Sequence, residues 1–324
     1  MASSPATAMT PFDHVWTHVR ASGAAAIPSP LPADAWSHLY TALDVLADEL
    51  RGDDALAAEF DAAARAWQGE SGLRDHYSGY FTPYYRDRVG QTDKDQKTIF
   101  QLCQPYYAYV YRRFPHLVQV PAFRALLQGT QAALSACERD LTALVESLSV
   151  VSPELADRLV HDSPVRPTAL RLLSYVSDDH FFTNPHVDKS AVTVILHTDD
   201  PTDDPCLVVA GPSGRTLRLS DFYAPERAPD ESLVFFGAAA QRVAPELTAT
   251  PHGVRPPATP RRRHSAVFFW LLPGVDLAPF KTDIDYCDDL GTARPGHGRP
   301  RASCRSCKAR TTASSPSRGC TSTM

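Results

Sequence analysis

Several features that would place this chain in a membrane or secreted class are missing from its sequence. The longest apolar run, residues 266–272, is far shorter than the roughly 20 residues that a membrane-spanning helix needs. The first residues, MASSPATAMTPFDHVW, have neither the basic start nor the apolar centre of a secretory signal. The seven cysteines are odd in number and scattered, which is not the pattern of a disulfide framework. We therefore expect a reduced, cytoplasmic protein that does not bind membranes.

An excess of positive charge is also missing. The chain has 32 Lys and Arg residues against 37 Asp and Glu residues, which gives a formal net charge of -5 at pH 7 with neutral histidines. A nucleic-acid-binding domain normally carries a basic patch or stripe, so we expect no nucleic-acid partner. The hydrophobic fraction of 43% and the charged fraction of 21% are those of an ordinary globular protein. A chain of 324 residues is long enough to bury a sizeable core.

The first half of the chain carries helical patterns. Residues 33–68 are rich in Ala, Leu, Asp and Glu, with apolar residues at helical spacing, and a turn at residues 52–54 should divide them into two helices. Residues 121–149 carry a second apolar stripe and predict another long helix. The tyrosine-rich segment 75–115 between them has no clear period. Its aromatic side chains could form a packed wall or a surface that faces a substrate.

The second half changes to short β-rich runs. We predict strands at residues 170–176, 191–197, 206–210, 216–219, 233–236 and 265–272. Turn residues separate these runs and no segment of helical length interrupts them, which argues against a parallel βαβ sheet. The pattern favours a sandwich or a jelly roll.

The last residues, 291–324, differ again in composition. They are rich in Arg, Ser, Gly and Pro and have almost no large apolar residue, so we expect a disordered tail. The tail contains Cys304 and Cys307 as a lone CxxC pair. A zinc site usually needs a second pair of ligands, and only Cys320 and His297 are nearby, so we expect no functional metal site there.

The strongest chemical signal is the tripeptide His186-Val187-Asp188. On an extended chain, side chains two residues apart lie on one face, so this imidazole and this carboxylate can bind the same metal ion. A third ligand must come from another strand, and His252 is the best candidate. Two histidines and one carboxylate on one side of a metal form the facial triad that is diagnostic of non-haem Fe(II) oxygenases.

A second pattern, Arg263-His264-Ser265, follows His252 and opens the last β-rich run. Arg263 and Ser265 should share one face of that strand, while His264 points the other way. A guanidinium and a hydroxyl side by side can hold a carboxylate. Arg261 and Arg262 precede this pair, but only Arg263 stands two positions before a serine.

Two other histidines compete for the metal. The chain contains a second HxD pattern, His197-Thr198-Asp199, which shows how easily so short a pattern arises. We expect His197 to be structural or to lie just outside the site. His264 is the alternative to His252 as the distal ligand, but strand alternation sets it opposite Arg263.

The order of these motifs, HxD, then a distal His, then RxS, resembles that of the Fe(II)/2-oxoglutarate-dependent dioxygenases, in the branch similar to isopenicillin N synthase and the plant flavonoid oxygenases. The match runs from about residue 168 to residue 273. Leu170–Tyr175 resembles the family strand before the metal motif, Val192–Leu196 the strand after it, and Ser232–Gly237 the strand before the distal His. The resemblance implies an α+β fold with a double-stranded β-helix (jelly-roll) core over residues 166–290 and a mainly helical N-terminal region, residues 1–165.

The resemblance also implies roles for the metal motif. His186, Asp188 and His252 would bind Fe(II), which would also bind the keto-acid end of 2-oxoglutarate and leave one position for O2. Arg263 and Ser265 would hold the distal carboxylate of 2-oxoglutarate.

Tyr175 is a further candidate for contact with 2-oxoglutarate. The protein would be an oxidoreductase, a 2-oxoglutarate-dependent dioxygenase that hydroxylates, desaturates or cyclises a small-molecule substrate and releases succinate and CO2. Two alternatives stay open. One is an Fe(II) oxidase of the isopenicillin N synthase type, which uses O2 without 2-oxoglutarate, and the other is a non-catalytic jelly-roll binding module.

Overall fold

The structure is a computed structural model that describes residues 12, 14–71, 78–81, 97–160, 168–175, 183–199, 207–211, 214–223, 230–254 and 262–277. All of them belong to one compact unit, residues 1–284. The tail 291–324, Arg261 and much of the tyrosine-rich segment lie outside the described residues, so the predictions made for them stay predictions.

Helices occupy most of the first half of the described chain. Their bounds are α1 (Val15–Ser22), α2 (Ala33–Gly52), α3 (Asp54–Ser71), α4 (Gln104–Arg113), α5 (Pro121–Asp140), α6 (Thr142–Glu146) and α7 (Pro153–Val160), and α8 (Ala238–Val243) follows in the second half. The division predicted at residues 52–54 is confirmed, since α2 ends at Gly52 and α3 begins at Asp54. Within the described part of the chain, no helix combines the length and the apolar character that crossing a membrane requires.

The single helix predicted over residues 121–149 is wrong in its second part. Helix α5 ends at Asp140, and the short α6 and a 3-10 turn at Ser147–Val150 follow it. Leu141 leaves helical geometry at φ -96° and ψ 1°. The hydroxyl of Thr142 donates to the Glu138 carbonyl, and such local bonds from Thr side chains compete with the helical ladder.

Two antiparallel sheets form the core of the described residues. Their strands are β1 (Ala25–Pro28), β2 (Gly79–Phe81), β3 (Lys97–Cys103), β4 (Thr168–Tyr175), β5 (Thr183–His186), β6 (Val192–Thr198), β7 (Leu207–Ala210), β8 (Thr216–Arg218), β9 (Glu231–Phe236), β10 (His252–Val254) and β11 (Arg263–Trp270). One sheet has seven strands in the order β1-β9-β6-β11-β4-β3-β2, and the other has four in the order β5-β10-β7-β8.

The six predicted strands are all present. They correspond to β4, β6, β7, β8, β9 and β11, with ends shifted by at most two residues. The other strands were not predicted, and three of them, β1 to β3, come from the N-terminal region. The α+β fold class is confirmed, with a mainly helical first half and a two-sheet core.

The seven-stranded sheet has an outer face that packs under helix α2. His264 of β11 and Ser174 of β4 both hydrogen-bond to Asp44 of α2, and His197 of β6 bonds to Tyr40 of the same helix. Because side chains alternate along a strand, the residues one step away point to the opposite, inner face. That inner face carries the site described below.

Trp16 of helix α1 joins the helices to the sheet. Its ring stacks on Phe236 of β9 with ring centroids 5.1 Å apart. Its indole N–H donates to the Leu144 carbonyl at 3.1 Å and to the Ser147 hydroxyl at 2.8 Å. A buried tryptophan whose polar atom is satisfied in this way contributes strongly to packing, and replacing one by alanine typically costs about 3–5 kcal/mol.

Candidate metal centre

Three potential metal ligands meet between strands β5 and β10. His186 is the last residue of β5, Asp188 follows two residues later, and His252 is the first residue of β10. The two strands pair antiparallel, and His186 and His252 are direct partners in the register. One ligand atom from each of the three residues lies within 4.8 Å of the other two.

The distances between these side chains suit one shared ion. His186 Nε2 lies 3.4 Å from Asp188 Oδ1, and His252 Nε2 lies 3.5 Å from Asp188 Oδ2. The two imidazole ring centroids are 4.5 Å apart. With metal–ligand bonds of about 2.1 Å, two ligands at a right angle around an ion are about 3 Å apart. A small adjustment of the side chains would therefore bring all three onto one metal.

Burial and neighbouring charges set the protonation states of two of these residues, Asp188 and His252. Burial raises the pKa of Asp188, but the neighbouring His252 and His186 outweigh this effect and hold the pKa well below its usual range. Burial lowers the pKa of His252 to about 4, although Asp188 acts in the opposite direction. At neutral pH the site therefore offers a carboxylate and a neutral imidazole, which are the protonation states that bind metals.

A chain of hydroxyls holds Asp188 in place. Thr193 of β6 donates a hydrogen bond of 2.8 Å to Asp188 Oδ2, and the Ser190 hydroxyl lies 2.7 Å from that of Thr193. Both residues are buried. The sequence analysis missed them, although two hydroxyl residues beside and within the apolar run 191–196 were a visible signal. Partners of this kind orient metal ligands and are part of the design of metal sites.

Gly237, between β9 and α8, lies directly against the loop that carries Asp188 and Ser190. A Cβ atom at this position would lie 2.2 Å from the Ser190 carbonyl oxygen and 2.9 Å from the Asp188 carbonyl oxygen. The backbone N–H of Ala238 donates to the same Asp188 carbonyl at 2.7 Å. The loop that carries Asp188 is therefore fixed by a contact that only glycine permits.

Arg263 and Ser265 lie on the inner face of β11, as strand alternation predicted. They are 3% and 4% exposed, whereas His264 between them points to the outer face. Arg263 is the register partner of Tyr175 in β4, and its guanidinium carbon lies 5.2 Å from the centroid of the Tyr175 ring. Lys97 of β3 approaches the same ring, with its Nζ 6.0 Å from the centroid. The structure thus places the three residues expected to contact 2-oxoglutarate on the inner face, with Lys97 beside Tyr175.

The inner face of the seven-stranded sheet extends from Arg263, Ser265 and Tyr175 to the residues that contact the triad. Thr193, which bonds to Asp188, pairs with Phe269 of β11, and Phe269 lies on the same side of β11 as Arg263. Arg171 of β4 also belongs to this face. Its Nε donates to the Gln101 side chain at 2.7 Å, and its guanidinium lies 4.7 Å from the centroid of the Phe269 ring.

The second HxD pattern lies on the other side of the sheet. The His197 ring nitrogen Nδ1 is 3.1 Å from the Tyr40 hydroxyl, and Asp199 accepts hydrogen bonds from His264. His264, the alternative distal ligand, is therefore on the outer face, away from His186. Among the described residues, only the triad forms a group that could hold a metal ion.

No protein-family model and no curated protein matches this sequence. Solved structures do resemble it. A proposed oxygenase from Shewanella oneidensis has a TM-score of 0.55 and 18% identity, over 86% of this chain and 93% of its own. Neurospora crassa T7H in complex with alpha-KG has a TM-score of 0.52 and 14% identity, over 85% of each chain. JOX2 in complex with 2OG, Fe and JA has a TM-score of 0.53 and 14% identity, over 83% of this chain and 74% of its own.

These likenesses establish the fold. The chain shares the fold of oxygenases with jelly-roll cores, and the family resemblance drawn from the HxD, distal His and RxS motifs is confirmed at that level.

Proposed function

We propose that this protein is an Fe(II)- and 2-oxoglutarate-dependent oxygenase that oxidises a small molecule and releases succinate and CO2. The observation that carries the proposal is the meeting of His186, Asp188 and His252, whose ligand atoms lie within 4.8 Å of one another. The proposal is supported by the fold, which this chain shares with oxygenase structures that contain alpha-KG or 2OG.

The donor set fits Fe(II). Two imidazole nitrogens and one carboxylate oxygen on one side of an ion are the facial triad, which leaves the remaining positions open. Asp188 and His252 are 9% and 7% exposed, so the donors need little desolvation when a metal binds. Bound Fe(II) would supply the oxidative chemistry, in which O2 and 2-oxoglutarate are consumed and a substrate C–H bond is oxidised.

Arg263 and Ser265 would bind the distal carboxylate of 2-oxoglutarate. A buried carboxylate is costly unless it is paired, and a guanidinium pairs with it through charge-assisted hydrogen bonds. The Tyr175 ring beside the guanidinium limits the directions in which Arg263 can point. Such prior orientation reduces the entropy that is lost when the cosubstrate binds.

Other residues of the chain would hold the metal side of the site. The hydrogen bond from Thr193 to Oδ2 fixes the plane of the Asp188 carboxylate. The Phe235 ring packs against His252 with ring centroids 4.7 Å apart and keeps water from that side of the imidazole. A dry and rigid site strengthens electrostatic interactions and limits side reactions.

We infer a small-molecule substrate because the site lies between the two sheets and the chain has a net charge of -5. A nucleic acid would require a basic surface. Hydroxylation, desaturation and ring closure all begin with oxidation of a C–H bond, so all three remain within the proposal.

Anaerobic titration of the Fe(II)-loaded protein with 2-oxoglutarate tests the proposal. We expect the weak visible charge-transfer band of the iron chelate, followed by succinate release when O2 and a substrate from a screened set are added. If O2 is consumed without succinate and the band is absent, the protein is an Fe(II) oxidase of the isopenicillin N synthase type. If the protein binds no Fe(II), it is a non-catalytic binding module.

A further inference from the structure

A cluster of three charged side chains lies on the outer face of the sheet, behind Arg263 and Ser265. His264 Nε2 is 3.0 Å from Asp44 Oδ2 in helix α2, and His264 Nδ1 is 3.0 Å from Asp199 Oδ2 at the end of β6. We call these three residues the outer-face cluster. Both ring nitrogens of His264 thus face a carboxylate, and each carboxylate comes from a different element.

The cluster also holds the backbone of β11. Strand β11 pairs with β4 from Arg263 onward, but it pairs with β6 only from Ser265 onward. At His264 the backbone N–H donates instead to the Asp199 side chain, at 2.7 Å. The Asp199 carboxylate therefore takes the place of a backbone acceptor from β6 at His264, which lies between the two proposed cosubstrate-binding residues.

Contacts with neighbouring side chains restrict the movement of the side chains in the outer-face cluster. The Tyr40 ring stacks on His264 with centroids 4.7 Å apart and an interplanar angle of 14°. The Ser174 hydroxyl donates to Asp44 Oδ1 at 2.7 Å, and Arg262 reaches Asp44 Oδ2 at 2.5 Å. The side chains of His264 and Asp44 are only 13% and 17% exposed.

The cluster carries a positive charge on His264 at neutral pH. Burial lowers the pKa of His264, but hydrogen bonds to Asp199 and Asp44 outweigh it and raise the pKa to about 9. Of the other groups that face His264, His197 has a pKa lowered to about 4, mainly by burial, and Tyr40 has a pKa raised well above 10, again mainly by burial. His264 is therefore the group of this region that changes charge between pH 7 and pH 10.

We propose that His264 is a positioning residue for 2-oxoglutarate, because its bridge between Asp44 and Asp199 fixes the strand segment that presents Arg263 and Ser265 to the inner face. This inference rests on the proposed function. Loss of the bridge removes both side-chain bonds of His264, so that only its backbone bond to Asp199 and the Arg262–Asp44 pair still tie the start of β11 to the end of β6 and to α2. The guanidinium and the hydroxyl then lose their fixed spacing, and the cosubstrate binds less tightly.

Two variants and one control test the proposal. His264→Phe keeps a ring against Tyr40 but removes both N–H donors, and His264→Gln keeps one donor without the charge. His116→Phe is the matched control, since His116 also pairs with a carboxylate, Glu59 at 3.0 Å, but is 57% exposed. The dissociation constant of 2-oxoglutarate is measured on Fe(II)-loaded protein without oxygen, from pH 7 to pH 9.5, by the visible band.

For His264→Phe we expect binding of 2-oxoglutarate at pH 7 to weaken by about ten- to a hundredfold, as displacements of about 1 Å can produce. The wild-type protein and His116→Phe should lose affinity as pH rises through 9, whereas both His264 variants should bind with nearly constant, weaker affinity. His264→Gln also provides the measurement if His264→Phe does not fold. Wild-type affinity in the variants, or weaker affinity with the wild-type pH profile, would overturn the proposal. A wild-type protein that gives no band at any pH would instead overturn the proposed function, and this inference with it.

Discussion

Two neighbouring arginines illustrate how burial separates residues that look equivalent in sequence. Arg263 is 3% exposed and faces the interior beside Tyr175, whereas the side chain of Arg262 is 42% exposed and reaches Asp44 from the solvent side. The sequence analysis chose Arg263 for the carboxylate-binding role because, of the three consecutive arginines, only Arg263 stands two positions before a serine. Strand alternation then correctly set His264 opposite Arg263, because β11 pairs with β4 in an unbroken register.

We predict that Arg263→Leu raises the 2-oxoglutarate concentration required for half-maximal binding by orders of magnitude. Removing the partner of a buried carboxylate typically costs about 2–5 kcal/mol. Arg262→Leu is the control and should have a far smaller effect, because the Arg262 side chain is 42% exposed and bonds to Asp44 on the outer face, away from the proposed position of the carboxylate. Arg261→Leu, whose position lies outside the described residues, is also predicted to have a small effect. Equal losses in Arg262→Leu and Arg263→Leu, measured by the anaerobic titration, would contradict the assignment.

The two HxD patterns make a second comparison at the level of residues. We predict that Asp188→Ala abolishes turnover and weakens metal binding without unfolding the protein, because the buried carboxylate is lost from between two imidazoles. Asp199→Ala should leave metal affinity unchanged, since Asp199 bonds to His264 on the opposite face of the sheet. Titration with Co(II) and circular dichroism measure both effects. Equal metal affinity in Asp188→Ala and the wild type would remove Asp188 from the proposed site.

The position of a single helix, strand or turn depends on close packing as much as on its sequence pattern. The turn from β9 into α8 passes so close to the loop that carries Asp188 that a Cβ atom at Gly237 would overlap the Ser190 carbonyl. We predict that Gly237→Ala lowers both the melting temperature and the affinity for Fe(II) or Co(II), because the loop that carries Asp188 must move. Gly69→Ala in α3 is the control. It meets nothing within 4 Å and should stabilise the helix by up to about 1 kcal/mol.

Unchanged metal affinity in Gly237→Ala would show that the loop can shift without disturbing Asp188. Thermal unfolding of both variants, together with Co(II) titration, distinguishes a local effect on the site from a general loss of stability.

Most of the strands that the sequence predicted consist mainly of apolar residues, with β8 (Thr216–Arg218) as an exception. Strand β6, which reads VTVILHT, is an example. Strand β3 escaped prediction because its inner positions include Lys97, which lies near Tyr175, and Gln101, which bonds to Arg171, while its outer positions pack under helices. Strand β10 has only three residues, too few for any period to appear, although its first residue, His252, was identified by its chemistry. Polar residues on the inner face thus hid β3 from the hydrophobic pattern, whereas a single histidine drew attention to β10.

Across the whole molecule, histidines with opposite pKa shifts should set the pH of greatest stability. Burial lowers the pKa values of His252 and His197 to about 4, so the folded metal-free protein loses stability as pH falls below about 6.5. The pKa of His264 is raised to about 9 by Asp199 and Asp44, which outweigh burial. Its contribution is therefore complete below about pH 6.5 and is lost as pH rises through 9.

We predict that the free energy of unfolding of the metal-free protein is greatest near pH 6.5. Between pH 6.5 and pH 9.5 the wild type should lose on the order of 2–3 kcal/mol more than His264→Phe, since one pKa unit corresponds to about 1.4 kcal/mol. Urea unfolding at a series of pH values measures this difference. Parallel pH profiles for the two proteins would show that His264 is not charged in the folded state.

The composition of the tail gives a further prediction for the whole chain. Residues 291–324 have almost no large apolar side chain, so they cannot bury a core of their own. We predict that a chain ending at residue 290 folds and binds Fe(II) like the full-length protein. A large fall in melting temperature on truncation would show that the tail docks on the rest of the protein.

One contact near the metal site has a consequence for how the protein is made. The Thr250 hydroxyl, two residues before His252, donates to the Gly23 carbonyl, 227 positions earlier in the chain. Strand β1, which follows Gly23, pairs with β9 across a similar separation. Contacts between such distant residues form slowly, and a growing chain cannot make them until the later partner has left the ribosome. Strand β1 therefore cannot pair with β9 until residues 231–234 have been synthesised, and the three proposed metal ligands can meet only after His252 has also been made.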